Sequence, residues 1–232
     1  MTAGFRVFLK RNLPSKELVE QFRNIPAANI ADCMGRQNAM FPEIRLMTKP
    51  GEGNMVGVAL TVKTRCGDNL MIHQALDMAG EGDILVIANE QGRERSLLGE
   101  IMYRQGERKK LAGIVLDAPI RDSLEIYIGS LPLYASGSTP GGPYKEGPGE
   151  VNVPVSCGGV SVHPGDIIVG DADGVIVIPR LDGEKILELA LAFQKNDQRK
   201  LQAAIDGTAD RSWVLTQLHE KKCEIVDGLY GQ

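Results

Sequence analysis

Two short, unbroken apolar runs constrain this chain more than any other feature. Residues 83–92, "DILVIANEQG", and 112–117, "AGIVLD", each hold a β-branched apolar core with no polar alternation. Between them "SLLGEIMYRQGERKKL", residues 96–111, has helical spacing. A strand apolar on both faces belongs inside a sheet covered on both sides, and a helix linking two such strands makes a right-handed βαβ unit with a parallel pair. The expected fold class is therefore α/β with a mixed, partly parallel sheet.

The flanking sequence fits that frame. "SKELVEQFRN" places Leu18, Val19 and Phe22 on one helical face with Ser15 as N-cap, and "AANIADCMGR" reads as a short helix stopped at Gly35. "MVGVALTVKT" reads as a strand, and "DNLMIHQALDMAGEGD" as a helix capped by Asp68 and ended at Gly80. "RDSLEIYIG" gives a short helix, "LPLYAS" a strand, and "GSTPGGPYKEGPGE" a Gly/Pro-rich loop expected to be mobile. From residue 151 strands and hairpins are expected, with turns at Pro164-Gly165 and Asp173-Gly174. Helices are expected over 181–205 and near 211–222. The resulting division is an α/β domain over 1–180 and a C-terminal helical arm over 181–232, lying on the domain or on a neighbouring subunit.

With 232 residues and 43% hydrophobic content the chain can bury a full core without staples. Its 26 basic and 30 acidic residues form no basic block, and aromatic residues are few, which argues against a nucleic-acid groove. The four cysteines stand singly, with no metal-knuckle or disulfide spacing, which suits a reduced cytoplasm. No apolar stretch approaches the roughly 20 residues of a membrane span, and the N-terminus does not read as a signal peptide.

In an open α/β sheet, ligands collect beyond the carboxyl ends of the parallel strands. Two loops answer that description: "NEQGRERSLLGE" after the first apolar strand and "DAPIRD" after the second. The first enters a helix through Gly99, Glu100, Ile101 and Met102, whose free N–H groups favour a carboxylate or phosphate. The second supplies Arg121, a fork for a carboxylate or carbonyl, and Asp122, a hard oxygen ligand for magnesium or manganese. Glu100 is placed to hold a metal-bound water. The competing reading of the Arg121-Asp122 pair is a solvated helix cap, and both readings stand at this point.

The blocks "AGEGDILVIANEQG", "LLGEIMYRQGERKKLAGIVLDAPIRD" and "HPGDIIVGDADGVIVIP" together resemble the family of 4-hydroxy-4-methyl-2-oxoglutarate aldolases and regulators of ribonuclease activity A. The resemblance runs from about residue 25 to 205. It implies a swivelling β/β/α domain, homotrimers or homohexamers, and active sites at subunit interfaces. It implies substrate contacts from the Gly99 to Met102 backbone and from Arg121, metal binding by Asp122, and Glu100 outside the metal's direct ligands. It also implies an acidic residue from a neighbouring C-terminal helix, for which "FQKNDQRKLQ" offers Asp197. The family's Asp-Gly-x-x-Arg-Asp pattern stands here as Asp117-Ala118-Pro119-Ile120-Arg121-Asp122.

The implied activity is a divalent-metal-dependent cleavage of a 4-hydroxy-2-oxo acid to pyruvate and a second oxo acid, with oxaloacetate decarboxylation on the same site. Arg121 and the metal would stabilise the enolate of pyruvate. The rival expectation is a non-catalytic protein that regulates a ribonuclease, against which the helical tail argues. Other residues read as structural: His73, His163 and His219 lack ligand spacing, "GDADG" is a hairpin turn rather than a calcium loop, and Met71, Met78 and Met102 sit at core positions.

Overall fold

The computed structural model describes residues 3–89, 92 and 94–231. Glu90, Gln91 and Arg93 of the first candidate loop lie outside the described residues. The chain forms two compact units, one reaching Phe193 and one starting at Gln194.

In the first unit, β3 (Met55–Thr64) is the spine of the main sheet. Along one edge it pairs in parallel with β4 (Asp83–Asn89), followed in parallel by β5 (Gly113–Leu116) and β6 (Leu133–Ala135), with antiparallel β2 (Arg45–Leu46) outermost. Its other edge is shared between β10 (Ile167–Asp171), antiparallel to Met55–Val58, and β7 (Gly149–Val151), antiparallel to Val62–Thr64. β11 (Gly174–Ile178) pairs antiparallel with β10, and β1 (Phe5–Val7) lies parallel on β7. The expected α/β class with a mixed, partly parallel sheet is what the chain forms.

Side-chain alternation explains why the inner strands are apolar throughout. Leu85 and Ile87 of β4 and Ile114 and Leu116 of β5 pack against Met71, Ile72 and Leu76 of α3 (Leu70–Met78) and Met102 and Tyr103 of α4 (Glu100–Arg108). Their neighbours Ile84, Val86, Ala88 and Val115 face the other way, onto the hairpin β8 (Val155–Cys157) and β9 (Val160–Val162). Each fully buried Val, Leu or Ile contributes about 1.5–3 kcal/mol, so a charge at Val86 would break this layering. A third cluster sets α1 (Lys16–Glu20), α2 (Ala27–Cys33) and the first turns of α6 (Gly183–Ile205) over β10 and β11. Ile186, Leu187 and Ala190 are buried there, and the boundary between units falls inside α6 rather than at residue 181.

Several element boundaries differ from those expected. The helix expected from Ser96 begins at Glu100. The Ser96 N–H and hydroxyl both donate to the Gly141 carbonyl (2.8 Å each) and the Leu97 N–H to that of Pro119 (3.1 Å), which keeps these residues out of the helix. The N-cap of α3 is Asn69 rather than Asp68, although Asp68 Oδ1 still accepts the Leu70 N–H at 2.9 Å. Pro164-Gly165 turns the chain between β9 and β10, which belong to different sheets. The β8–β9 hairpin closes through Gly158 and Gly159, whose φ values of 55° and 77° suit a two-residue turn. The β10–β11 hairpin turns through Ala172 and Asp173, between paired Asp171 and Gly174, one residue before the expected Asp173-Gly174.

The second unit contains the remainder of α6 and α7 (Ser212–Glu220), which has no buried residue. No helix among the described residues is long and apolar enough to cross a membrane. The four cysteines are free.

Candidate active site

Beyond the carboxyl ends of β4, β5 and β6 the three following connections run side by side. Leu98 bridges in parallel to Ile120, and Ile120 in parallel to Ser138. The Arg121 N–H donates to the Leu98 carbonyl (2.9 Å) and the Thr139 N–H to that of Ile120 (2.8 Å). Ala118 and Pro119 fit this ladder. Ala118 is fully buried, its carbonyl accepts the Ser136 N–H, and Pro119's carbonyl takes Leu97's.

The ladder brings Gly99, Glu100, Arg121 and Asp122 together. Asp122 has φ 56° at the start of α5 (Ser123–Tyr127) and does not cap its own helix with its side chain. Its Oδ2 instead accepts the Glu100 N–H at the start of α4 (2.9 Å) and lies 3.7 Å from Arg121 Nε. The pair is solvent-exposed, and Asp122 caps α4 rather than its own helix. Of the helix donors expected to face a ligand, Glu100's is taken, which leaves those of Gly99, Ile101 and Met102. Gly99 is extended, so its requirement is space: a Cβ there would sit 2.5 Å from Asp122 Oδ2 and 2.9 Å from Arg121 Nε. The Glu100 carboxylate runs along α4 to Arg104 at 3.2 Å.

Gly99 and Arg121 open onto a cavity of about 230 Å³, which Glu100 and Asp122 do not line. Of the residues expected to contact substrate, Gly99, Ile101, Met102 and Arg121 line it and Glu100 does not. Asn69, His73 and Lys145 line it too, and sequence reasoning missed all three. His73 lines the cavity, whereas His163 and His219 are exposed. Burial pushes the His73 imidazole below its ordinary value, Lys145 adds to the shift, and Asp77 opposes it. Lys145 belongs to the Gly/Pro-rich loop expected to be mobile, yet that loop is tied down along its length. Arg95 donates to the Gly142 carbonyl (2.9 Å) and to the Tyr144 hydroxyl (2.8 Å), and its guanidinium stacks 4.2 Å from the Tyr144 ring. Buried Asp68 accepts the N–H groups of Glu146 (2.7 Å) and Gly147 (2.9 Å) through Oδ2. A buried aspartate placed 78 residues before its partner leaves no local pattern to read.

Asp122 retains an open oxygen, Oδ1, while no group of three His, Cys, Asp or Glu side chains suited to a metal occurs among the described residues. A single carboxylate with room for water and a chelating ligand fits a magnesium-type ion, which keeps several waters, and not a closed zinc centre. Asp197 belongs to the second unit and is exposed.

The RraA-like family model, described as Aldolase/RraA, matches residues 27–177. A Halalkalibacterium halodurans protein provisionally named a 4-hydroxy-4-methyl-2-oxoglutarate aldolase is 34% identical over 204 residues, 88% of this chain and 96% of that one. A Thermus thermophilus 4-hydroxy-4-methyl-2-oxoglutarate aldolase is 34% identical over 112 residues, 48% of this chain and 68% of that one. Among solved structures, Streptomyces coelicolor RraAS2, described as an unusual member of the RNase ES inhibitor RraA protein family, superposes with a TM-score of 0.71 at 26% identity, covering 82% of this chain and 98% of that one. With a matching family model across most of the chain and a relative aligned along nearly its full length, this protein belongs to the RraA-like family.

Proposed function

We propose that this chain is a divalent-metal-dependent aldolase that cleaves a 4-hydroxy-2-oxo di- or tricarboxylic acid, such as 4-hydroxy-4-methyl-2-oxoglutarate or 4-carboxy-4-hydroxy-2-oxoadipate, to pyruvate and a second oxo acid. The observation that carries this reading is the charge of the cavity: Arg121 and Lys145 line it and no carboxylate does. Such walls favour a small anion with two acidic ends. The aldolase names of the H. halodurans and T. thermophilus relatives support the same class.

Arg121 grips the 2-oxo acid end, assisted by the Ile101 and Met102 N–H groups, and Lys145 faces the far carboxylate. The proton leaves the 4-hydroxyl oxygen, the C3–C4 bond breaks, and its electron pair passes to the 2-oxo group as the enolate of pyruvate. Arg121 stabilises that oxyanion until C3 is protonated. Asp122, through Oδ1, would hold the magnesium or manganese ion, which when bound supplies a second positive charge at the 2-oxo oxygen. Glu100, paired with Arg104, orients water at the rim rather than reaching substrate. Oxaloacetate decarboxylation uses the same charge stabilisation.

The assembly we favour is a cytoplasmic homotrimer or homohexamer in which Asp197 of a neighbouring chain supplies the proton-accepting carboxylate. Exposed Ile101, Leu124, Tyr127 and Ile128, on and next to α4 and α5, support such a contact. Pyruvate release from 4-hydroxy-4-methyl-2-oxoglutarate and from oxaloacetate, with magnesium and then with excess chelator, tests the proposal. Chelator-sensitive turnover is expected; no turnover of either compound overturns it. A second reading, regulation of a ribonuclease, is favoured by the name of the S. coelicolor neighbour and gains weight if turnover is absent and a ribonuclease scaffold is captured.

A further inference from the structure

We infer that Asn69 is a specificity-determining residue that accepts a hydrogen bond from the substrate's 4-hydroxyl group, an inference that rests on the aldolase reading above. Asn69 stands at the N-cap of α3, where an asparagine oxygen ordinarily accepts a backbone N–H of the first turn. Here it makes no such bond. Asp68 Oδ1 has taken that role with the Leu70 N–H, at 2.9 Å.

Asn69 is 3% exposed, and its amide orientation is fixed from the other end: Nδ2 donates to the Leu97 carbonyl at 3.0 Å and lies 3.4 Å from Met102 Sδ. Oδ1 is thereby left as a buried acceptor with no hydrogen-bond partner, Lys145 included, although Lys145 lines the same cavity. A buried oxygen without a donor is a costly arrangement unless something brings one.

The position of Asn69 says which part of a substrate would do so. Asn69 holds the carbonyl of Leu97, while the Arg121 N–H holds that of Leu98. Asn69 and Arg121 thus hold successive carbonyls of one short segment, and both line the cavity. With Arg121 on the 2-oxo acid end, Asn69 meets a group further along the molecule. In a 4-hydroxy-2-oxo dicarboxylate the 4-hydroxyl is the donor available there; both carboxylates and the ketone are acceptors only. The asparagine orients the O–H without taking its proton, and so selects hydroxylated oxo acids over unhydroxylated ones of the same length.

The test compares Asn69→Leu with the unaltered protein, both with magnesium, on cleavage of 4-hydroxy-2-oxoglutarate, decarboxylation of oxaloacetate, and inhibition by 2-oxoglutarate. Expected is a loss of roughly tenfold or more in kcat/KM for cleavage, as for a site that reads a hydroxyl. Decarboxylation and the 2-oxoglutarate inhibition constant, which involve no 4-hydroxyl, should move by less than about twofold on the same reasoning. Equal loss on all three would make Asn69 merely a brace for Leu97 and overturn the inference, as would no loss at all. Should Asn69→Leu fail to fold, the unaltered protein decides through two inhibitors that cannot be cleaved, 2,4-dihydroxyglutarate and 2-hydroxyglutarate. Tighter inhibition by the first is expected, and equal constants overturn the inference. Absence of cleavage by the unaltered protein is a separate result, because it removes the aldolase reading itself and this inference with it.

Discussion

Asp122 closes a helix to which it does not belong: its Oδ2 accepts the Glu100 N–H of α4 at 2.9 Å, while its own helix, α5, receives no side-chain cap. The carboxylate therefore has a structural task on one oxygen and room for a metal on the other. Substitution should separate the two. Asp122→Asn keeps an acceptor for Glu100 and should unfold close to the unaltered protein, yet lose magnesium-dependent cleavage. Asp122→Ala should lose the same activity and, in addition, about 1 kcal/mol of stability, the usual cost of an N-terminal acceptor. Denaturant unfolding beside the pyruvate assay reads both; activity retained in Asp122→Asn would remove the metal from this residue.

Gly99→Ala should be as damaging as changing a charged residue. The added methyl would stand 2.5 Å from Asp122 Oδ2 and 2.9 Å from both Cγ and Nε of Arg121, so both side chains must shift. Misplacing a positioning cation by about 1 Å costs on the order of 100-fold in rate. The expected outcome is a fall in kcat of that size, with the fold intact by circular dichroism. Near-normal turnover would show that Arg121 and Asp122 need not hold this geometry.

These residues also mark how much could be read in advance. The unbroken runs of β4 and β5 announced a parallel pair because both faces of each strand are buried, and the topology then pointed to Gly99, Arg121 and Asp122 at the strand ends. Asn69, His73 and Lys145 were invisible for a different reason. Asn69 follows Asp68, the expected cap, His73 looks like a helix-surface imidazole, and Lys145 sits in a stretch whose glycines and prolines suggest freedom. What fixes that loop is Asp68, Arg95 and Tyr144, drawn from separate parts of the chain. The strands β1, β2 and β7 were missed because two or three residues carry no periodicity.

Tyr103 gives a prediction for alkaline pH. Its hydroxyl donates to the Leu131 carbonyl and accepts the Leu131 N–H, each at 2.9 Å, and burial with Glu107 nearby pushes its pKa from 10.0 to about 12. A pKa raised on folding means the folded state favours the neutral phenol. That stability is complete below pH 10 and is lost as pH rises toward 12. Tyr103→Phe should cost about 1–3 kcal/mol at neutral pH, because the Leu131 amide loses its partner. Its unfolding free energy should then decline less steeply between pH 10 and 12 than that of the unaltered protein. Parallel slopes would mean that Tyr103 does not carry the alkaline limb.

His73 and Lys145 share the cavity wall, and their coupling can be measured directly. Burial is the larger cause of the lowered His73 pKa, and the Lys145 ammonium the next. Removing the ammonium in Lys145→Ala should therefore raise the His73 midpoint in an NMR titration without restoring the ordinary value of 6.5. A depressed histidine pKa contributes stability that is full above the unfolded value and is lost as pH falls through the folded one, so the variant should also be less sensitive to mild acid. The same change removes the cation assigned to the far carboxylate, and should raise KM for a dicarboxylic substrate more than it lowers kcat. An unmoved His73 titration would mean that the two side chains do not sense each other; an unmoved KM would take Lys145 out of substrate binding and leave Arg121 as the cavity's working cation.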